Sequence, residues 1–299
     1  MNVFQLTWQV EERQSGMLLR EFLKERQISK AALADIKFKG GCIRVNGSEE
    51  TVRYLLKHGD IVNVQFPIEQ ASEGLLPEDL PLEVVYEDDY LLVINKPPFT
   101  NTIPSREHPT GSIANRVAGY YSKKGIASTV HVVTRLDRDT SGLMLIAKHR
   151  HVHHLFSEQQ KQGRVSRTYE AFVHGHLDSE GMIEAPIGRS STSIIEREVR
   201  EDGQYACTLY KSLAVYERLS HVELQLLTGR THQIRVHMAH LGHPLLGDDL
   251  YGGSLELLDR QALHCKQLTF RHPFTEETLT FHAGLLKDMR CLIDSESRS

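Results

Sequence analysis

Three short segments concentrate the side chains that could do chemistry. The first is Thr134-Arg135-Leu136-Asp137-Arg138-Asp139-Thr140-Ser141-Gly142-Leu143, which lies between two apolar runs. Guanidinium groups on either side of Asp137 favour its charged form, and a carboxylate held in that form suits a nucleophile or a base. The same composition also fits an ordinary exposed connection between two strands. The second segment runs from Leu226-Leu227-Thr228-Gly229-Arg230 through Thr231-His232-Gln233-Ile234-Arg235-Val236-His237. A strand ends there, Gly229 makes the corner, and Thr231 is placed to cap the helix that follows. Arg230 then sits at a strand-to-helix junction, from which a side chain can project into a cleft or make a surface ion pair. The third is Arg167-Thr168-Tyr169-Glu170-Ala171. Tyr169 shares a strand face with Ala171 and Val173, the position of a core tyrosine or of an aromatic platform.

The elements that must position these residues can be read from periodicity. The 299 residues suffice for one large domain and a small one. With 40% hydrophobic and 25% charged residues, such a chain can bury a core without disulfides or metals. Leu18, Leu19, Phe22 and Leu23 recur at helical spacing. Ser29 is a candidate N-cap for a second helix, which Gly40 and Gly41 stop. A short strand, Cys42 to Val45, runs into the turn signal Asn46-Gly47. Val62, Val64 and Phe66 alternate with Asn63 and Gln65 as in a half-buried strand. Residues 67–82 carry three prolines and no periodicity, which predicts a linker. Beyond it, strands around Tyr90 to Lys96, Leu143 to His149, Arg167 to Gly175, Cys207 to Leu219 and His221 to Leu227 alternate irregularly with helices. Strands that follow one another directly imply antiparallel pairing.

Charge is unevenly spread. From His58 to Asn95 there is no Lys or Arg but nine acids, and removing those nine negative charges turns the net −4 into +5. The acidic stretch reads as a solvated connector. Between Arg20 and Arg44 seven basic residues face three acidic ones, a plausible phosphate-contacting surface.

These motifs closely resemble those of the RluA-type pseudouridine synthases. That family's H-R-L-D-x-D-T-S-G-L is matched from Thr134 to Leu143, its K/R-x-Y-x-A-x-V-x-G from Arg167 to Gly175, and its T-G-R-x-H-Q-I/L-R-x-H from Thr228 to His237. Gly242-His243-Pro244, Gly247-Asp248 and Asn95-Lys96-Pro97 also match. Residues from Gly16 to Phe66 are similar to the S4 RNA-binding domain, chiefly through Arg44-Val45-Asn46-Gly47 and Gly59-Asp60. Two departures stand out: Thr134 replaces the usual histidine, and Pro98-Phe99 replaces a glycine.

The resemblance implies an α+β fold with a mixed, largely antiparallel central sheet and flanking helices, preceded by a small α/β S4-like domain. The implied division is 1–66 for RNA binding, 67–82 for the acidic linker and 83–299 for catalysis. It implies that uridine in structured RNA, most often large-subunit ribosomal RNA, is isomerised without cofactor or metal. Asp137 would attack the nucleoside or remove a sugar proton, and Arg230 would pair with it. Tyr169 would stack on the uracil and relay its C5 proton, while Arg135 would fill the place of the flipped base. Leu226 and Arg235 would contact substrate. Transfer RNA is an alternative substrate, and a non-catalytic RNA-binding protein is the rival class.

Other readings fare less well. His151, His153 and His154 cluster, and His237, His240 and His243 recur at near-helical spacing, but the His-Glu-x-x-His pattern of a zinc hydrolase is missing. These histidines are expected at the surface or facing RNA. Asp139-Thr140-Ser141-Gly142 departs from the aspartic-protease signature, with glycine one place late and no second copy. Cys42, Cys207, Cys265 and Cys291 are far apart, which suits a reducing, cytoplasmic setting. No signal peptide and no apolar run of membrane-spanning length is evident.

Overall fold

The computed structural model describes residues 3–70, 72 and 74–296; Ala71 and Glu73 of the expected linker lie outside the described residues, as do the last three residues. The N-terminal unit comprises β1 (Gln5–Gln9), α1 (Leu19–Glu25), α2 (Lys30–Phe38), β2 (Cys42–Val45), β3 (Ser48–Glu49) and β4 (Ile61–Gln65). Its strands pair antiparallel in the order β1-β4-β2-β3. Leu19, Phe22, Leu23 and Ile36 from the helices bury against Val62, Val64 and Phe66. The Ser29 hydroxyl accepts the Ala32 N–H at 3.1 Å, so the cap lies where its residue type predicts. Asn46 and Gly47 both take positive φ, 49° and 86°, as a tight hairpin turn requires.

The second unit follows as β5 (Val84–Glu87), β6 (Leu91–Lys96), α3 (Ile113–Lys124), β7 (His131–Val132), β8 (Ser141–Ala147) and α4 (Arg150–Lys161). Next come β9 (Val165–His174), β10 (Glu180–Glu184), β11 (Ile187–Arg189), β12 (Arg197–Val199), β13 (Cys207–Val215) and β14 (Leu219–Leu226). It closes with α5 (Gln233–His240), β15 (Leu263–Arg271), β16 (Thr278–His282) and α6 (Lys287–Glu296). The main sheet runs β10-β13-β14-β9-β15-β8-β6-β5, with β16 on β15 and β7 on β8. Among the described residues only β15 and β8 pair parallel; the sheet is mixed and largely antiparallel. Every residue of β8 is buried, the pattern of a central strand covered on both faces. Gly142 has φ 111°, and a Cβ there would stand 2.3 Å from the Cys265 carbonyl oxygen, so this close strand approach admits only glycine.

The acidic stretch is exposed along much of its length, as a solvated connector would be, but several of its acids are tied down. Glu69 bonds His131 Nε2 at 2.5 Å, accepts the Arg150 N–H at 2.7 Å and lies 3.3 Å from His149 Nε2. Glu78 accepts the Gly111 N–H, and Glu87 pairs with Lys124 and Lys148. These acids meet backbone donors and cations in and around β7, α3 and α4, so the segment is strapped to the second unit. The N-terminal unit docks beside it. Phe4 stacks on His149 with ring centroids 4.0 Å apart, Phe66 stacks on His151, and Arg150 pairs with Asp35. His151 and His237 are therefore buried rather than facing solvent, because aromatic and backbone partners close over them. Among the described residues, no group of three His, Cys, Asp or Glu side chains is placed to hold a metal ion. Likewise, no described helix is long and apolar enough to cross a membrane.

Candidate active site

Asp137 lies on the loop between β7 and β8, and the loop's carbonyls are tied down from several sides. Lys96, at the end of β6, donates from Nζ to the carbonyls of Pro97, Thr100 and Arg138 at 2.8, 2.7 and 2.7 Å. Burial pulls the Lys96 amine down to about 7, yet three acceptors match the three N–H bonds of the ammonium form, which favours the charge. The Thr102 hydroxyl donates to the Leu136 carbonyl at 2.6 Å, and Arg260 Nη1 to that of Asp139 at 3.2 Å. Thr134, in place of the family's histidine, is buried and accepts the Leu145 N–H at 2.8 Å, pinning the loop to β8. Phe99, in place of the family's glycine, takes φ 56° and is exposed.

Arg235 clamps the Asp137 carboxylate. It projects from α5, with Nη1 at 3.3 Å from Asp137 Oδ2. Its Nε and Nη2 bond both oxygens of Asp248 at 2.7 Å in a forked pair. The Asp248 side chain is wholly buried. Burial works against the Arg235 charge, but the Asp248 bonds and the two carboxylates outweigh it and raise its pKa above the ordinary guanidinium value. The guanidinium also lies 4.9 Å from the Tyr251 ring centroid.

Arg230, expected to pair with Asp137, does not. Its Nε donates to the Tyr205 carbonyl at 2.9 Å, because it precedes the helix and leaves the corner toward the connection before β13. Thr231 does not cap α5 either. The N-cap is His232 in a left-handed conformation, and the Gln233 side chain takes over by accepting the Arg230 N–H. Gln233 is buried and also donates to the Cys207 carbonyl and the Thr208 hydroxyl, so it anchors this corner. The readable signal for it was an amide in the apolar run of a helix start.

Asp137, Tyr169, Arg230, Arg135, Leu226 and Arg235 all line one cleft of about 980 Å³. Arg138, Lys161 and Arg167 add positive charge to its walls, which suits a polyanion. Arg135 is exposed within it. Tyr169 is buried, and burial raises its phenol far above the ordinary range, so it stays protonated at neutral pH. His232 and Tyr251, which the sequence did not single out, stand beside Asp137 and Arg235.

A clamped carboxylate on a strand-to-strand loop, facing a basic cleft over a mixed sheet, is the arrangement of an enzyme acting on nucleic acid. Residues 90–240 match the family model described as RNA pseudouridylate synthase, and the chain belongs to this family, as its RluA-type motifs implied. It is 54% identical over 282 residues to the uncharacterized RNA pseudouridine synthase YjbO of Bacillus subtilis (strain 168), covering 94% of this chain and 100% of that protein. It is 37% identical over 302 residues to the ribosomal large subunit pseudouridine synthase D of Vibrio cholerae serotype O1, covering 95% and 93%. The human RNA Pseudouridylate Synthase Domain Containing 1 has the same fold, with a TM-score of 0.58 at 24% identity over 74% of this chain and 97% of that one.

Proposed function

We propose that this chain converts uridine to pseudouridine at defined positions of large-subunit ribosomal RNA in the cytoplasm, with Asp137 as the reacting carboxylate. The observation that carries the reading is the Arg235 clamp, which holds a partly exposed carboxylate in a basic cleft. The reaction is an isomerisation. The C1′–N1 bond breaks, the base turns, C1′ bonds C5, the C5 proton leaves and N1 takes one up. Atoms balance without an external cofactor.

A uridine within a helix must first leave its stack, at a cost of a few kcal/mol. Exposed Arg135 can stack its planar guanidinium in the vacated place. Asp137 then acts on the sugar, as nucleophile at C1′ or as base at a sugar proton; both need the ionised carboxylate that Arg235 favours. Tyr169 contributes its ring to the base. Its buried phenol stays protonated at neutral pH, and such a hydroxyl can pass the C5 proton on only by accepting one proton as it gives up its own. Arg230 serves the cleft wall as a phosphate contact rather than as the partner of Asp137. The segment 1–66 supplies a second RNA-binding surface, for which its seven basic residues between Arg20 and Arg44 argue.

The test uses RNA carrying tritium at C5 of uridine. The parent protein should release tritium from large-subunit ribosomal RNA and Asp137→Asn should release none while melting as a folded protein. Release from transfer RNA alone would change the substrate assigned here. A folded Asp137→Asn variant working at the parent rate would remove Asp137 from the chemistry.

A further inference from the structure

His232 occupies a backbone conformation that a residue with a Cβ adopts at a cost, φ 57° and ψ 19°, and it does so beside the reacting carboxylate. Its Nδ1 lies 2.7 Å from the Tyr251 hydroxyl, and its Nε2 lies 3.9 Å from Asp137 Oδ2. The Tyr251 oxygen already accepts the backbone N–H of Arg197 at 3.0 Å, which leaves its own proton to point at His232. An imidazole that accepts at Nδ1 carries its proton on Nε2, the nitrogen nearer Asp137. Burial, and after it the nearby Arg235 and Arg197, lower the His232 pKa against the pull of Asp137 and Asp248, which favours the neutral ring.

We propose that Tyr251 and His232 form a positioning relay that fixes Asp137 Oδ2 and leaves Oδ1 as the oxygen that reacts. This rests on the reading of Asp137 as the reacting carboxylate. Arg235 Nη1 and His232 Nε2 converge on the same oxygen, Oδ2. No hydrogen bond from a described side chain reaches Oδ1. Holding one oxygen with two donors of fixed direction sets the carboxylate plane, so the other oxygen meets the sugar in one orientation. The 3.9 Å separation is longer than a hydrogen bond and closes when RNA fills the cleft, as catalytic contacts commonly tighten on binding. The relay begins at Arg197, the first residue of β12. The turn joining β11 to β12 carries Ile195, which lines a smaller cavity together with Asp137, His232 and Arg235. That hairpin therefore orients Tyr251 from the rim of the site.

The test compares His232→Leu, His232→Gln and Tyr251→Phe in single-turnover tritium release from large-subunit ribosomal RNA at saturating protein, with RNA affinity and thermal melting measured alongside. His232→Leu should slow release about 10–100-fold and leave RNA affinity within about twofold, since partners of reacting groups act on the chemical step. His232→Gln, whose amide N–H can stand near the lost Nε2–H, should recover most of that loss. Tyr251→Phe should fall between parent and His232→Leu. Nitrogen-15 spectra of the parent should show the His232 proton on Nε2, and Tyr251→Phe should mix the tautomers. A proton on Nδ1 in the parent, or parent rates in both His232→Leu and Tyr251→Phe, would overturn the relay. If the leucine variant does not fold, the tyrosine variant decides alone. A parent that releases no tritium from any RNA would instead sink the reading of Asp137, and the tautomer measurement would still judge the relay.

Discussion

Replacing Arg235 with Met strands a buried charge. Asp248 is wholly buried, and both of its oxygens accept from Arg235 at 2.7 Å. Removing one member of such a pair costs about 3–5 kcal/mol, because the remaining ion keeps its desolvation penalty and loses its compensation. Asp137 also loses its partner, but it is 27% exposed and water recovers much of that, so this adds roughly 1 kcal/mol or less. At about 2 °C per kcal/mol for a chain of this size, Arg235→Met should melt roughly 6–12 °C below the parent. Adding Asp248→Asn removes the stranded charge, so the double variant should melt above Arg235→Met alone. Arg230→Met loses one hydrogen bond to a carbonyl at a half-exposed site and should cost about 1 kcal/mol or less. Arg235→Lys keeps the charge but not the fork that spans two carboxylates, so it should fold and release tritium about 10–100-fold more slowly. Thermal melting followed by circular dichroism and tritium release on the same preparations measure both effects. Equal melting of Arg235→Met and Arg230→Met would refute the buried-pair argument. Loss of chemistry in Arg230→Met but not in Arg235→Met would return the partnership with Asp137 to Arg230.

Further outcomes follow from the same geometry. Asp137→Asn leaves Arg235 balanced by Asp248, so it should unfold within about 1 kcal/mol of the parent; a larger loss would show that Asp137 is part of the structural clamp. Gly142→Ala places a Cβ 2.3 Å from one backbone atom of Cys265 and 2.6 Å from another, at a φ unfavourable to alanine. It should yield insoluble protein or unfold at least about 3 kcal/mol more easily, and a parent-like melt would show that β8 and β15 can separate there. Glu170 is held down to about 2 by the His221 hydrogen bond and by Lys266, with burial opposing. Its folded pKa lies below its unfolded value, so its contribution, about 1–2 kcal/mol once solvent screening is allowed for, is present above about pH 5 and lost as pH falls toward 2. Melting of the parent should therefore drop more steeply than that of Glu170→Gln over that interval, and parallel curves would contradict the assignment. Deleting residues 1–66 uncovers the rings of His149 and His151, so the remainder should fold but melt several degrees lower and bind RNA more weakly; non-cooperative melting would place the domain boundary elsewhere.

Much of the local structure was legible because its causes are local. Ser29 caps α2 and Asn46-Gly47 turns a hairpin, each through bonds within a few residues or through a φ that the residue type allows. The short strands β10, β11 and β12 carry little alternation and were not legible, since packing rather than pattern makes them strands. The residue types of the site were also readable, and Asp137, Tyr169, Arg230 and Arg235 do share one cleft. Their pairing was not. Arg230 and Arg235 lie in one motif, and only the direction of α5 decides that Arg235 reaches a carboxylate 98 positions away. Asp137 alone could have accepted either. The acids of the linker looked solvated because composition reports charge but not what lies opposite it. His131, His149 and the start of α4 supply the partners that bury Glu69. Periodicity names the face a side chain occupies; the group that meets it comes from another part of the chain, and the fold brings the two together.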